Sequence, residues 1–278
     1  MPETGTDFNG CDVAIVMPTS YKQLTGDGED PVRYSCTRTM VTALSGRPGG
    51  IKTQPLIIDS SPPEMHQQLS DELTQLGAVV LRAPRQGILW QNLDGLNFAY
   101  TQGAPFAGRA EPFKYGLAVP AVIERVMERL IAGIDVLCVG RDADALASLP
   151  PVQRDYEGLI ADAGVKYGLP AEWDMASGIR FFSQAGLRYL ANFAQRWGQD
   201  NSQWEFMWGV PLLGMHQRTS LPPIRVDGIA VPQIHPQSIT VLETGNPVFD
   251  TKRQQQYELV TGFMDRFCLN LGISPASA

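Results

Sequence analysis

The chain has no Cys-x-x-Cys pair. Its four cysteines, Cys11, Cys36, Cys138 and Cys268, are scattered through 278 residues, which excludes a spacing-defined zinc site and the cysteine density of a secreted disulfide scaffold. No stretch approaches the ~18 consecutive apolar residues of a membrane span. Residues 1–9 have neither the basic start nor the apolar run of a secretory leader. The expectation is therefore a soluble, cytoplasmic protein with free thiols. Basic residues are also short: 22 Lys and Arg against 29 Asp and Glu give a formal net charge of −7, which argues against nucleic acid as a partner. Internal repeats and low-complexity tracts are missing too. Finally, the first apolar run closes on Pro18-Thr19-Ser20-Tyr21, where a nicotinamide-dependent oxidoreductase would need Gly-x-Gly-x-x-Gly.

What is present is a chain with 44% hydrophobic residues, enough for a substantial core. Asp12 to Met17 and Leu56 to Ile58 are continuous apolar runs, the mark of strands buried on both faces. Between them, Tyr21 to Pro31 reads as a loop and Arg33 to Leu44 as a helix. Pro62-Pro63 opens a helix carrying Met65, Leu69, Leu73 and Leu76, which Gly77 stops before a third strand, Ala78 to Leu81. Strand, helix and strand at this spacing predict βαβ units and a parallel sheet. Arg85 to Phe106 reads as a helix or an ordered lid. Val119, Val122, Ile123, Val126, Met127, Leu130, Ile131 and Ile134 give the clearest helical periodicity, running into a strand at Asp135 to Gly140. Further helices are expected after Pro150-Pro151, over Leu187 to Trp197 and over Lys252 to Leu271, with a strand at Ser177 to Phe182. The domain reading is one α/β unit over 1–245 and a helical extension over 246–278 packed on it.

The apolar run at Asp135 delivers Asp142-Ala143-Asp144 to the carboxyl end of a strand, where α/β sheets collect ligands. Two carboxylates at that spacing suit a divalent cation. The same pair also serves as a turn or a helix cap. Downstream, Glu205 stands among Trp204, Phe206 and Trp208, and His235 lies between Ile234 and Pro236. A carboxylate amid core aromatics and a hydrogen-bonded structural histidine are the plain alternatives for these two.

This order of elements resembles the GT-A fold of nucleotide-sugar-dependent glycosyltransferases from about Asp12 to His235. The resemblance rests on the strand ending at Pro18, Thr19 and Ser20, on Leu56 to Ser61 with its terminal Asp59, on Lys114 before Gly116-Leu117-Ala118, and on Asp142-Ala143-Asp144. It implies a mixed, mostly parallel sheet flanked by helices, and a nucleoside-diphosphate sugar as donor. It further implies nucleotide contacts at Pro18, Thr19, Ser20, Asp59, Lys114, Arg141 and Asp142, and Mn²⁺ or Mg²⁺ held by Asp142, Asp144 and His235. Glu205 becomes the candidate base toward a small-molecule or glycan hydroxyl acceptor. Burial among aromatics would raise its pKa. A metal bridging the diphosphate would stabilise the departing charge. Homo-oligomerisation is left open.

Two other classes compete. A haloacid-dehalogenase-type phosphohydrolase also uses Asp-x-Asp, but on its first strand. A non-catalytic nucleotide-sugar-binding protein on the same fold is the third reading, because fold does not fix function.

Overall fold

The computed structural model describes residues 8, 10–200, 203–233 and 236–275. Seven strands form one mixed sheet: β1 (Val13–Thr19), β2 (Thr53–Asp59), β3 (Val79–Arg82), β4 (Ala107–Arg109), β5 (Val136–Arg141), β6 (Ile179–Phe182) and β7 (Val226–Val231). Their spatial order is β3-β2-β1-β4-β6-β5-β7. All pairings are parallel except those of β6, which runs antiparallel to both β4 and β5. The expected α/β class, a mostly parallel sheet flanked by helices, is what forms.

The unbroken apolar runs have a direct physical outcome. Successive side chains leave a strand on opposite faces, so Val13, Ile15 and Met17 enter one core while Ala14 and Val16 enter the other. The first core is covered by α1 (Glu29–Ser45), α2 (Pro63–Gln75) and α4 (Pro120–Ile131). The second is covered mainly by α3 (Ile88–Thr101), α7 (Gln184–Trp197), α8 (Phe206–His216) and α10 (Pro247–Asn270). Between these lie α5 (Ala143–Ala147), α6 (Pro151–Val165) and α9 (Gln237–Glu243).

Helix starts follow the sequence. Proline occupies the first turn of α2, α4, α6 and α10, where its missing N–H costs nothing. Ser183 caps α7 by accepting from the amides of Ala185 and Gly186 at 3.1 and 3.2 Å. In α4, Val122, Ile123, Val126, Met127 and Leu130 are buried as the periodicity predicts, but Ile131 is 72% exposed. The difficult 85–106 segment resolves into α3 and β4. Helix α3 lies tight on the sheet because residue 95 is glycine: a Cβ there would stand 2.5 Å from Val16 Cγ1 and 2.7 Å from Ile58 Cγ1.

Strand β4 was not expected from sequence. Ala107, Gly108 and Arg109 make no apolar run, yet they sit at the centre of the sheet. Tyr100 holds them in place, accepting from the Ala107 amide at 3.2 Å and donating to the Phe182 carbonyl. Its consequence is positional: the strand end next to β1 is Arg109, and Asp142 lies two strands further out, past β6. Helix α10, read from sequence as an extension, packs on α6 and α8 and brings side chains to the main cleft.

Candidate functional site

A cleft of about 300 Å³ opens at the carboxyl ends of β1 and β4. Its floor includes Pro18, Thr19 and Ser20, from the loop that the sequence marked as a nucleotide contact. Gln91 of α3 also lines it and fixes that loop, donating from Nε2 to the carbonyls of Thr19 at 3.1 Å and Ile58 at 2.9 Å.

Five cationic side chains line the same cleft, Arg33, Arg109, Lys114, Lys252 and Arg253, against the acids Glu29, Asp30, Glu111 and Glu157. They come from α1, the end of β4, the turn after it, and α10. Arg33 and Arg253 share the buried carboxylate of Glu243 at 3.4 and 3.3 Å. Arg33 also stacks over Phe113, with Cζ 4.8 Å from the ring centroid. Lys114 Nζ lies 3.6 Å from Glu111. Burial lowers the Lys114 ammonium below its ordinary range, Glu111 opposing. For Glu111, burial alone would raise the carboxyl, but Lys114 and Arg109 outweigh it and hold it low.

Part of the lining is aromatic. Trp204, Met207 and Trp208 contribute it at the start of α8, and Met175, Ala176 and Gly178 also line the cleft. Arg109 is 0% exposed, with Cζ 5.5 Å from the Trp204 ring centroid. Gly178 allows that arrangement for two reasons. Its φ of +81° suits glycine, and a Cβ there would approach Arg109 Nη1 at 2.8 Å and Glu111 Oε1 at 3.3 Å.

The other sequence-derived candidates are dispersed. Asp59 is buried and spent on structure: it accepts from Thr19 Oγ1 at 2.9 Å and Ser61 Oγ at 2.6 Å, and pairs with His66 Nδ1 at 2.8 Å. It does not line the cleft. His66 is half-buried against it. Arg141 is 4% exposed and bound by Asp174 at 2.6 Å and by Glu157, so its charge is compensated within the chain. Burial alone would lower its pKa, but Glu157 and Asp174 raise it overall.

Asp142 caps α5, its Oδ1 accepting from the Ala145 amide at 2.9 Å. Asp144 is exposed on the first turn of that helix. Neither lines the cleft. His235 lies outside the described residues. Among the described residues no three His, Cys, Asp or Glu side chains converge as a metal site, and the pair takes the cap geometry that was its plain alternative. Of the three ligands that the resemblance names, the structure describes two, Asp142 as a helix cap and Asp144 exposed beside it. His216 Nε2 bonds the Tyr167 carbonyl at 2.9 Å.

Glu205 is 2% exposed at the start of α8 and accepts from the Gln203 amide at 3.1 Å. Burial raises its carboxyl above the ordinary range, as its aromatic setting suggests. Its neighbours Trp204, Met207 and Trp208 reach the cleft, whereas Glu205 is not among the lining residues. Trp90, Asn92 and Asp94 serve α3: Trp90 stacks with Arg85, Asp94 binds Arg85, and Asn92 accepts from Arg109 Nε at 3.4 Å.

Sequence reasoning did not find Arg33, Arg109, Glu111 or Arg253. Isolated charged residues on a helix, a three-residue strand, a turn and a terminal helix have no shared motif; only the fold assembles them. No protein-family model and no curated protein matches the chain. Solved structures similar to it are distant. A cytidylyltransferase of Leptospira borgpetersenii serovar Hardjo-bovis has 9% identity and a TM-score of 0.48, over 96% of this chain and 98% of that one. A 4-diphosphocytidyl-2C-methyl-D-erythritol synthase of Anaerococcus prevotii has 8% identity and a TM-score of 0.49, over 88% and 99%. The mannosyltransferase PcManGT of Pyrobaculum calidifontis, in complex with GDP-Man and Mn²⁺, has 13% identity and a TM-score of 0.42, over 97% and 76%.

Proposed function

We propose that the chain is a transferase that takes a sugar from a nucleoside-diphosphate donor and delivers it to a hydroxyl acceptor in the cleft beside β1 and β4. The observation that carries this reading is the gathering of Arg33, Lys114, Lys252 and Arg253 in the lining of that cleft in an acidic protein. Carboxyl ends of parallel strands are where such folds seat nucleotides. A diphosphate leaving group gains charge as the glycosidic bond breaks, and fixed cations lower the barrier by meeting that charge without reorganisation.

In this reading Pro18, Thr19 and Ser20 border the nucleoside, and Lys114 with Arg253 receives the phosphates. Glu111 becomes the carboxylate nearest the acceptor. When Lys114 turns to a phosphate, Glu111 loses its strongest partner and becomes a better proton acceptor for the hydroxyl. Glu205, the earlier candidate base, acts at one remove by seating Trp204 and Trp208, whose rings give a sugar an apolar face. No step is routed through Asp142, Asp144 or a metal ion.

The experiment is calorimetric titration of the full chain with UDP, GDP, CDP and ADP, followed by a coupled assay for nucleoside diphosphate released from sugar donors. Binding of one of them, weakened about tenfold or more by Lys114→Gln through loss of a charge-assisted bond, is the expected result. Lack of binding by all four, or hydrolysis of a generic phosphomonoester without any nucleotide sugar, would overturn it.

A further inference from the structure

We infer that the aromatic side of the cleft receives a carboxylate carried by the acceptor, with Arg109 as its anchor. The word acceptor rests on the proposed transfer reaction; the carboxylate site itself rests on Arg109 and Trp208.

Arg109 is a fully buried cation with no carboxylate within ion-pair distance among the described residues. Its Nη1 donates to the Gly178 carbonyl, and its Nε reaches Asn92 at 3.4 Å. Its Nη2 has no partner among the described residues. Trp208, 2% exposed on the same cleft, has an equally unpartnered Nε1. Guanidinium and indole nitrogens can only donate, and leaving buried donors unpaired is costly, most of all on a charged group. A ligand that fills this end of the cleft must therefore bring acceptor oxygens, and preferably a negative charge. Across the strand pair, Arg180 repels Arg109 as well: burial first, then Arg180, lowers the Arg109 pKa to about 10 despite Glu111.

The surroundings select the kind of anion. The Trp204 ring lies over the guanidinium, its centroid 5.5 Å from Cζ. Glu111, brought near Arg109 at Gly178, opposes a second negative charge. A planar monoanion with two oxygens, one for Nη2 and one for the indole N–H, satisfies both donors. A carboxylate has that form, and edge-on pairing with guanidinium is its strongest contact. A phosphate dianion would face Glu111.

The test uses tryptophan fluorescence of the full chain titrated with lactate and with its neutral isostere lactamide, each with and without a saturating nucleoside diphosphate. Lactate should bind about tenfold or more tighter than lactamide, the worth of one charged hydrogen bond. Arg109→Gln should bring that ratio close to one. Should that variant not fold, Trp208→Phe removes the indole N–H together with the five-membered ring while keeping an aromatic side chain, and should cut the ratio by about threefold to tenfold. Equal binding of lactate and lactamide to the wild type would overturn the inference, as would an unchanged ratio in the folded Arg109→Gln or Trp208→Phe variants, or tighter binding of inorganic phosphate than of lactate at the Arg109-dependent site. Discrimination seen without nucleotide in a protein that binds no nucleoside diphosphate would sustain this site and sink the transferase reading. Nucleotide binding without discrimination would do the reverse.

Discussion

Arg109 and Arg180 stand directly opposite each other on antiparallel β4 and β6, 0% and 1% exposed. Arg180 donates to the carbonyls of Ile179 at 2.7 Å and Met175 at 2.6 Å, with its Nε unpartnered among the described residues. Arg109 donates to the Gly178 carbonyl, with its Nη2 likewise unpartnered. Two like charges side by side in a core oppose folding, so the pair persists at the expense of stability.

That cost can be measured. Replacing buried charge with an apolar side chain of similar volume is often neutral or stabilising by about 1–4 kcal/mol. Arg109→Met should therefore unfold at an equal or higher urea concentration than the wild type while losing lactate discrimination. A loss of more than about 2 kcal/mol would instead mark Arg109 as a structural bond-maker.

Arg141 and Asp174 form the contrasting, compensated pair. Burial alone would raise Asp174, but Arg141 outweighs it and holds the carboxyl below the ordinary range. A depressed carboxylate gives stability that is present above its unfolded pKa near ~4 and lost as pH falls through the lower folded value. Asp174→Asn should cost about 3–5 kcal/mol at neutral pH. Its stability should also fall less steeply than that of the wild type in that acid window. Urea melts at several pH values check both, and parallel curves would contradict the assignment.

Nucleoside-diphosphate affinity should weaken as pH rises through the lowered pKa of Lys114, at a lower pH than an ordinary lysine would impose. The sign follows from linkage: the anion binds the ammonium form and raises its pKa, so binding takes up protons where free Lys114 is partly neutral. Calorimetry in two buffers of different ionisation enthalpy, at pH values below the ordinary lysine pKa of ~10.4, reads that uptake. Lys114→Gln should abolish it.

Asp142 and Asp144 now carry different expectations. Asp144→Ala should leave nucleoside-diphosphate binding unchanged, with or without Mn²⁺, because Asp144 is exposed and is not among the residues that line the cleft. Asp142→Ala should lose about 1 kcal/mol of stability through the lost cap. Loss of Mn²⁺-dependent binding in Asp144→Ala would restore the metal reading that the motif suggested.

Glu205→Gln should be folded. The raised carboxyl means the folded state holds its proton more tightly than the unfolded one, so Glu205 weakens the fold as pH rises between the unfolded and the raised folded value. Thermal melts across that range should show a flatter pH dependence for the variant than for the wild type.

The sheet was legible where strands are apolar on both faces, as in Val13 to Met17, and helices were legible where proline opens them. Strand β4 was not, because Ala107-Gly108-Arg109 owes its place to pairing with β1 and β6 and to Tyr100, none of them local. Helix α8 lacked a periodic signal because it is apolar all round and fully wrapped by the core. The first loop of the cleft was legible as a strand end. Its cations were not, since residues distant in sequence meet only after the sheet has closed. The Asp-x-Asp spacing was read correctly as a strand end, but β6 separates it from the centre.

The bridge through Glu243 joins Arg33 of α1 to Arg253 of α10, closing a connection of 210 residues between Arg33 and Glu243. A ligand lodged between those arginines acts as a clasp on the two outer helices. Its signature in hydrogen exchange should be slowed opening of α1 and α10 together, with little change in the central strands.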